Sequence, residues 1–193
     1  SLHDALPISA QAEALTAAQI AALQSTDLAN MNSAQIAVLD SAQIAAIETA
    51  DISALTTTAF KALAVDSVSG LTTDQIAALN SNQIAVLTTA QTAAFSTTQA
   101  QAIETRDISA MSTAALRTMT TAAIAALSTD QILALNTAQT AALNSAQVEG
   151  MAALAAQNAY TSTLAIPVIG PGLAPGAAAS AYAVSLGLGT PAI

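Results

Sequence analysis

The sequence has no cysteine and no tryptophan, only two tyrosines and two phenylalanines, and a single histidine, His3. Without cysteine there is neither a disulfide nor a thiolate metal site, a composition that suits an extracellular bacterial protein. Without large rings, an interior must be built from Leu, Ile and Ala. Basic residues are nearly as scarce: Lys61, Arg106 and Arg117 stand against twelve acids, for a net charge of −9. No basic stripe exists to neutralise phosphates, so nucleic acid is excluded as a partner. The acids are dispersed and read as a solvated face that aids solubility. Glycine and proline are almost missing from the middle, where Gly70 and Gly150 are the only interruptions between residues 15 and 150.

What fills that stretch is one eight-residue phrase repeated seventeen times without insertion or deletion. Its first position runs Leu15, Leu23, Met31, Leu39 and so on by eights to Leu143, always large and apolar. The consensus is Leu-(Thr/Asn/Ser)-(Ser/Thr)-x-Gln-Ile-Ala-Ala, which defines a repeat array. Large apolar residues at positions one and six recur at spacings of five and three, whereas an amphipathic helix needs three and four. One continuous helix therefore cannot bury the pattern.

The spacing predicts an all-α solenoid of short helices, one per octad. Thr, Asn, Ser or Asp at position two with Gln at position five is the spacing of a capping box. Ser128-Thr129-Asp130-Gln131 and Thr72-Thr73-Asp74-Gln75 display it. The following Ile-Ala-Ala-Leu favours helix, but each helix is too short to persist alone, so stacking must hold it. The alternative is a β-solenoid, favoured by the many Thr and Ile residues; Ala and Gln are poor strand formers, and β-corners usually want Gly, Asn or Asp. A longer period overlies the octad. Ile47-Glu-Thr-Ala-Asp-Ile-Ser-Ala returns as Ile103-Glu-Thr-Arg-Asp-Ile-Ser-Ala, 56 residues or seven octads later, the mark of a duplicated block.

Three regions follow. Residues 1–9 lie outside the pattern; Ser-Leu-His-Asp-Ala-Leu-Pro-Ile resembles translated sequencing-adapter sequence, and this stretch is expected to be an artefact or a leader. It lacks the basic and apolar regions of a signal peptide. Residues 10–150 form the octapeptide solenoid, entered through a degenerate octad. Residues 151–193 form an apolar Ala/Gly/Pro-rich tail without a single charge, holding four of the five prolines and five of the seven glycines. A membrane-crossing helix needs about 20 apolar residues, and the run Gly176–Thr190 between two prolines has fifteen. The tail is expected to be a truncated apolar junction, with membrane contact as the alternative.

The octads resemble the Leu-Thr-Thr-x-Gln-(Ile/Val)-x-Ala repeats of very large bacterial secreted or surface proteins, often labelled haem-utilisation or adhesion proteins. The resemblance covers residues 15–150 and implies a repeat segment at the cell surface or outside the cell. It does not carry haem with it. An axial His, Cys or paired Met is wanted, and His3 lies in the leader. Separately, Ala165-Ile-Pro-Val-Ile-Gly-Pro-Gly-Leu-Ala-Pro resembles apolar segments near the end of phage tail tape-measure proteins, which implies a virion tail.

Few residues could do chemistry. A Ser-His-acid triad cannot be assembled around one histidine in the leader. The closest paired carboxylates are Glu48 with Asp51 and Glu104 with Asp107; both pairs sit at the cap and first turn of an octad, where acids favour a helix N-terminus. Gly170-Pro171-Gly172 and Gly187-Leu188-Gly189 lack a phosphate-loop or dinucleotide pattern. Met31, Met111, Met119 and Met151 occupy the Leu position and are expected in the core. No catalytic, cofactor-binding or metal residue is assigned, and the chain is expected not to be an enzyme. The expected role is geometric: a spacer or interaction surface in a bacterial secreted or adhesion-like protein. Its Ser, Thr, Gln and Asn side chains would face a protein or surface ligand, and uncapped solenoid ends would self-associate. The alternative is a phage tail component with a membrane-meeting tail.

Overall fold

The computed structural model describes residues 9–153, and His3, residues 154–193 of the tail and the two Gly-rich motifs lie outside them. The chain divides into two compact units, Ser1–Leu143 and Asn144–Ile193. Among the described residues of the first, sixteen α-helices of four to six residues and one 3-10 turn, Ile52–Ala54, follow one another at octad spacing. No strand occurs among the described residues. The helical solenoid is the architecture; the β-solenoid is not.

Each octad is a helix interrupted by two extended residues. Position one closes the preceding turn, its N–H donating to the position-six carbonyl three residues back, as from Leu79 to Ile76 and from Leu127 to Ile124 at 3.2 Å. It then adopts an extended backbone, Met31 at φ −67°, ψ 130° and Ile47 at φ −62°, ψ 132°. Position two is also extended, Thr72 at φ −71°, ψ 161° and Asn136 at φ −78°, ψ 168°. Its side chain accepts the N–H of position five, and the helix restarts. All these residues have negative φ, so the chain turns without needing glycine. That is why the array contains so little of it.

The capping boxes are present as the spacing predicts. At Thr72 the hydroxyl accepts from the Gln75 N–H at 3.1 Å, while the Thr72 N–H donates to Gln75 Oε1 at 3.0 Å. Asp40 with Gln43, Asn80 with Gln83, and Ser128 with Gln131 repeat the exchange. Each cap contributes about 1 kcal/mol, too little to sustain a five-residue helix alone.

Burial supplies the rest. From Met31 to Leu135 every position-one residue is buried, and most position-six residues join them, Ile36, Ile44 and Ile84 at 0–1% exposure. Burying each such side chain contributes roughly 1.5–3 kcal/mol. Met31, Met111 and Met119 lie in this core as expected; Met151, expected there too, is only half-buried.

Position five is buried too. Gln43, Gln75, Gln83, Gln91, Gln99, Gln131 and Gln139 are 0–4% exposed, which corrects the expectation that the glutamines face a partner. A buried amide must find partners, and these find them one coil back. Gln131 Nε2 donates to the carbonyls of Ala100 at 3.1 Å, Gln101 at 3.1 Å and Ile103 at 2.6 Å. Gln75 reaches Ile44, Ala45 and Ile47; Gln99 reaches Val68, Ser69 and Leu71. These are carbonyls at helix C-termini, which an isolated helix leaves without partners. One side chain thus caps the N-terminus of its own helix through Oε1 and the C-terminus of another through Nε2.

The clamps also fix the pitch. The position-one carbonyl each reaches lies 28 residues back, three and a half octads. Helices pack on those three octads earlier, such as Thr113–Thr118 on Thr89–Ala93. A turn therefore closes after more than three octads and fewer than four. The 56-residue block of the sequence is two such turns.

The second unit is described only at its start. A helix spans 145–153, entered through a capping exchange in which Asn144 Oδ1 accepts from the Gln147 N–H at 3.0 Å. No helix among the described residues is long and apolar enough to cross a membrane.

Candidate functional site

The side chains left for function are those at octad positions two, three, four and seven, mostly exposed. They are chiefly Thr, Ser, Asn and Ala. Position eight is half-buried against the neighbouring coil and admits only small or modest residues. At Gly70 the approach is close: a Cβ would lie 2.5 Å from the backbone oxygen of Ser41. Its cause is three positions away. Ser67 stands where glutamine stands elsewhere, and its hydroxyl donates straight to the Leu39 carbonyl, 28 residues back. The shorter donor draws the coils together, and only glycine fits the gap.

The two carboxylate pairs occupy the same octad register, 56 residues apart. Asp107 is 2% exposed, and its Oδ1 accepts a hydrogen bond from Ser81 Oγ of the preceding coil. Asp51 is half-buried and accepts from Ser25 in the same way. A carboxylate cannot donate to a carbonyl, so at these two octads the bond between coils runs in the opposite direction to the glutamine clamp. The capping expectation holds in position for the second pair, where Glu104 is the N-cap and Asp107 lies in the first helical turn, but not for the first, where Asp51 is itself the N-cap of the 3-10 turn; neither Glu104 nor Asp51 makes a side-chain capping bond. Among the three position-five aspartates, Asp27 accepts from the N–H of its own cap residue Gln24, at 3.0 Å.

The second pair differs from the first by one residue. Arg106 Nε lies 3.3 Å from Asp107 Oδ2 and 3.8 Å from Glu104 Oε2, whereas the equivalent place beside Glu48 and Asp51 holds Ala50. Shallow grooves between coils adjoin both pairs. One is lined by Gln101, Glu104, Thr105, Arg106, Ser128 and Gln131, the other by Leu23, Gln24, Ser25, Glu48 and Asp51. The geometry gives these acids a structural task. Asp51 and Asp107 hold coil to coil, and Glu104 pairs with Arg106. Among the described residues no three potential ligands gather to hold a metal ion.

Sequence reasoning missed the inter-coil half of the glutamine clamp and the Ser67–Gly70 approach. The 56-residue period was the available signal for the first, and the coincidence of a missing glutamine with the only glycine before residue 150 for the second.

A family model described as the ALTTAQ repeat matches residues 20–46, 44–81 and 100–137, together 100 of the 193 residues. The unmatched interval 82–99 departs from the consensus at Thr92, yet its helices Thr89–Ala93 and Thr97–Ala102 keep the octad spacing. No curated protein and no solved structure matches this chain.

Proposed function

The chain belongs to the ALTTAQ repeat family, and on that premise we propose that it is a non-enzymatic structural segment, a spacer or contact surface in a bacterial secreted or cell-surface protein. The observation that supports this reading is where the recurring residues go. Leu, Gln and Ile of nearly every octad are consumed in stacking one coil on the next, and the sequence grows by a block that equals two turns. Such an array sets length. With packed helices roughly 8–10 Å apart, a 56-residue block adds on the order of 16–20 Å without rotating the exposed face. Inserting a second copy of residues 47–102 and measuring the maximum dimension by small-angle scattering tests the length rule. An increase far from two coil heights contradicts it. Protease shaving of intact cells carrying the protein tagged at its own locus tests the surface assignment, and a tag that resists the protease until lysis argues against it. The partner on this reading is a protein or surface ligand meeting the Ser/Thr/Asn face. The phage-tail alternative shares the length-setting mechanism and rests on the apolar sequence 151–193.

A further inference from the structure

Glutamine is not spread evenly over position five. Gln35 and Gln43 are followed by three octads without it, which hold Asp51, Ala59 and Ser67. Gln75, Gln83, Gln91 and Gln99 come next, then Asp107, Ala115 and Ala123, then Gln131 and Gln139. The alternation follows the 56-residue block, and each run fills close to one coil.

The junctions between coils are therefore of two kinds, and they alternate. Gln75 bonds to Ile44, Ala45 and Ile47, Gln83 to Ile52 and Leu55, Gln91 to Lys61 and Leu63, and Gln99 to Val68, Ser69 and Leu71. All four clamps start and end within residues 44–99. The next clamp along the chain, from Gln131, begins at Ala100, and the one before, from Gln43, reaches back to Ala12, Glu13 and Leu15. No position-five glutamine crosses either boundary. The coils are joined there by shorter side chains: Ser25 to Asp51 and Ser67 to the Leu39 carbonyl on one side, Ser81 to Asp107 and Thr92 to the Ala115 carbonyl on the other. The apolar core runs through both kinds of junction, with Ile52, Phe60, Val68, Ile108, Leu116 and Ile124 all at 0% exposure. The amide bonds are what distinguishes them.

We propose that the array is divided into two-coil modules, residues 44–99 being one, and that under tension it yields at the junctions without glutamine, releasing a module at a time. The stability of a repeat array is a sum of repeat and nearest-neighbour interface terms, so the interfaces with fewer net-favourable hydrogen bonds part first. The inference rests on the reading of the chain as a length-setting segment and adds a control of that length. A module that fits within two stacked coils opens to about 18–20 nm at 3.3–3.6 Å per residue, so a loaded tether lengthens in steps while its attachment holds.

The test is stretching of the full chain between handles at its two ends in an optical trap. The wild type is expected to lengthen in discrete steps, one of about 18–20 nm of contour length, and a chain carrying a second copy of residues 47–102 to add one further step of that size. Gln91→Met is expected to lower the force of the module step more than Thr88→Ala, which removes only a capping acceptor. Native-state hydrogen exchange of the unstretched chain locates the boundary. Thr57–Lys61 and Thr89–Ala93, joined through Gln91, are expected to open together, and Thr113–Thr118, packed on Thr89–Ala93 without a glutamine, to open separately. Opening of the whole array in one event overturns the proposal, as does a boundary that falls at a glutamine junction or equal effects of the two substitutions. The array can set length at the cell surface and still open all at once, so this inference and the reading it rests on fail separately.

Discussion

At Gln131 the side chain donates to the carbonyls of Ala100, Gln101 and Ile103. Three octads earlier, at the same octad position, Asp107 accepts from Ser81 and leans on Arg106. A third kind of joint has no polar side chain at position five. At Ala115 the hydroxyl of Thr92, in the coil below, reaches up to the Ala115 carbonyl at 3.0 Å, and at Ala59 the neighbouring Phe60 is fully buried. Donor, acceptor and apolar joints all keep the octad spacing. The path of the chain is therefore set by the Leu and Ile positions and by the caps, while the clamp adds stability and fixes how each coil sits on the last. Each clamp makes two or three hydrogen bonds of about 0.5–1.5 kcal/mol net, comparable to the burial of one leucine.

The sharpest way to break that comparison is Gln75→Glu. It preserves the cap but buries a carboxylate against the Ile44, Ala45 and Ile47 carbonyls, and the expected loss is about 3–5 kcal/mol, read from urea unfolding. A carboxylate at 107, with Ser81 and Arg106 to receive it, is native; if glutamate at 75 costs no more than a surface change, the distinction between joints is wrong. Next in size is Gly70→Ala, which forces a Cβ onto the Ser41 backbone and is expected to cost about 1–3 kcal/mol. Adding Ser67→Gln should recover part of that loss by restoring the wider spacing, a coupling of about 0.5–3 kcal/mol in a double-mutant cycle. Additive effects would mean that Ser67 does not cause the close approach.

Thr72→Ala removes one capping acceptor and should lower stability by about 1 kcal/mol, with the Gln75 clamp still in place. Smallest is Arg106→Ala. The side chain is 70% exposed and surface pairs contribute about 0–1 kcal/mol, so a shift beyond that range would show that the Asp107 joint depends on its arginine.

The caps, the breaks and the core were legible because they are local. Thr72 and Gln75 are three residues apart, and Leu and Ile alternate within one octad. The clamp was not, because its second bond spans 28 to 31 residues and every octad looks alike. Position five, reading as polar, was assigned to the exposed face, although an amide can be buried once both of its ends are bonded. The number of octads per turn decides which carbonyls meet which glutamine, and only the 56-residue block hinted at it. The carboxylate pairs were correctly placed at octad starts, yet the serines they bind, Ser25 and Ser81, lie a coil away.

Side-chain amide hydrogen exchange, followed by nuclear magnetic resonance with assigned glutamine Nε2 resonances, tests the clamp most directly. The account predicts strong protection at Gln43, Gln75, Gln83, Gln91, Gln99, Gln131 and Gln139, and free exchange at Gln19 under conditions where the chain is monomeric. Free exchange at the seven buried glutamines would contradict it.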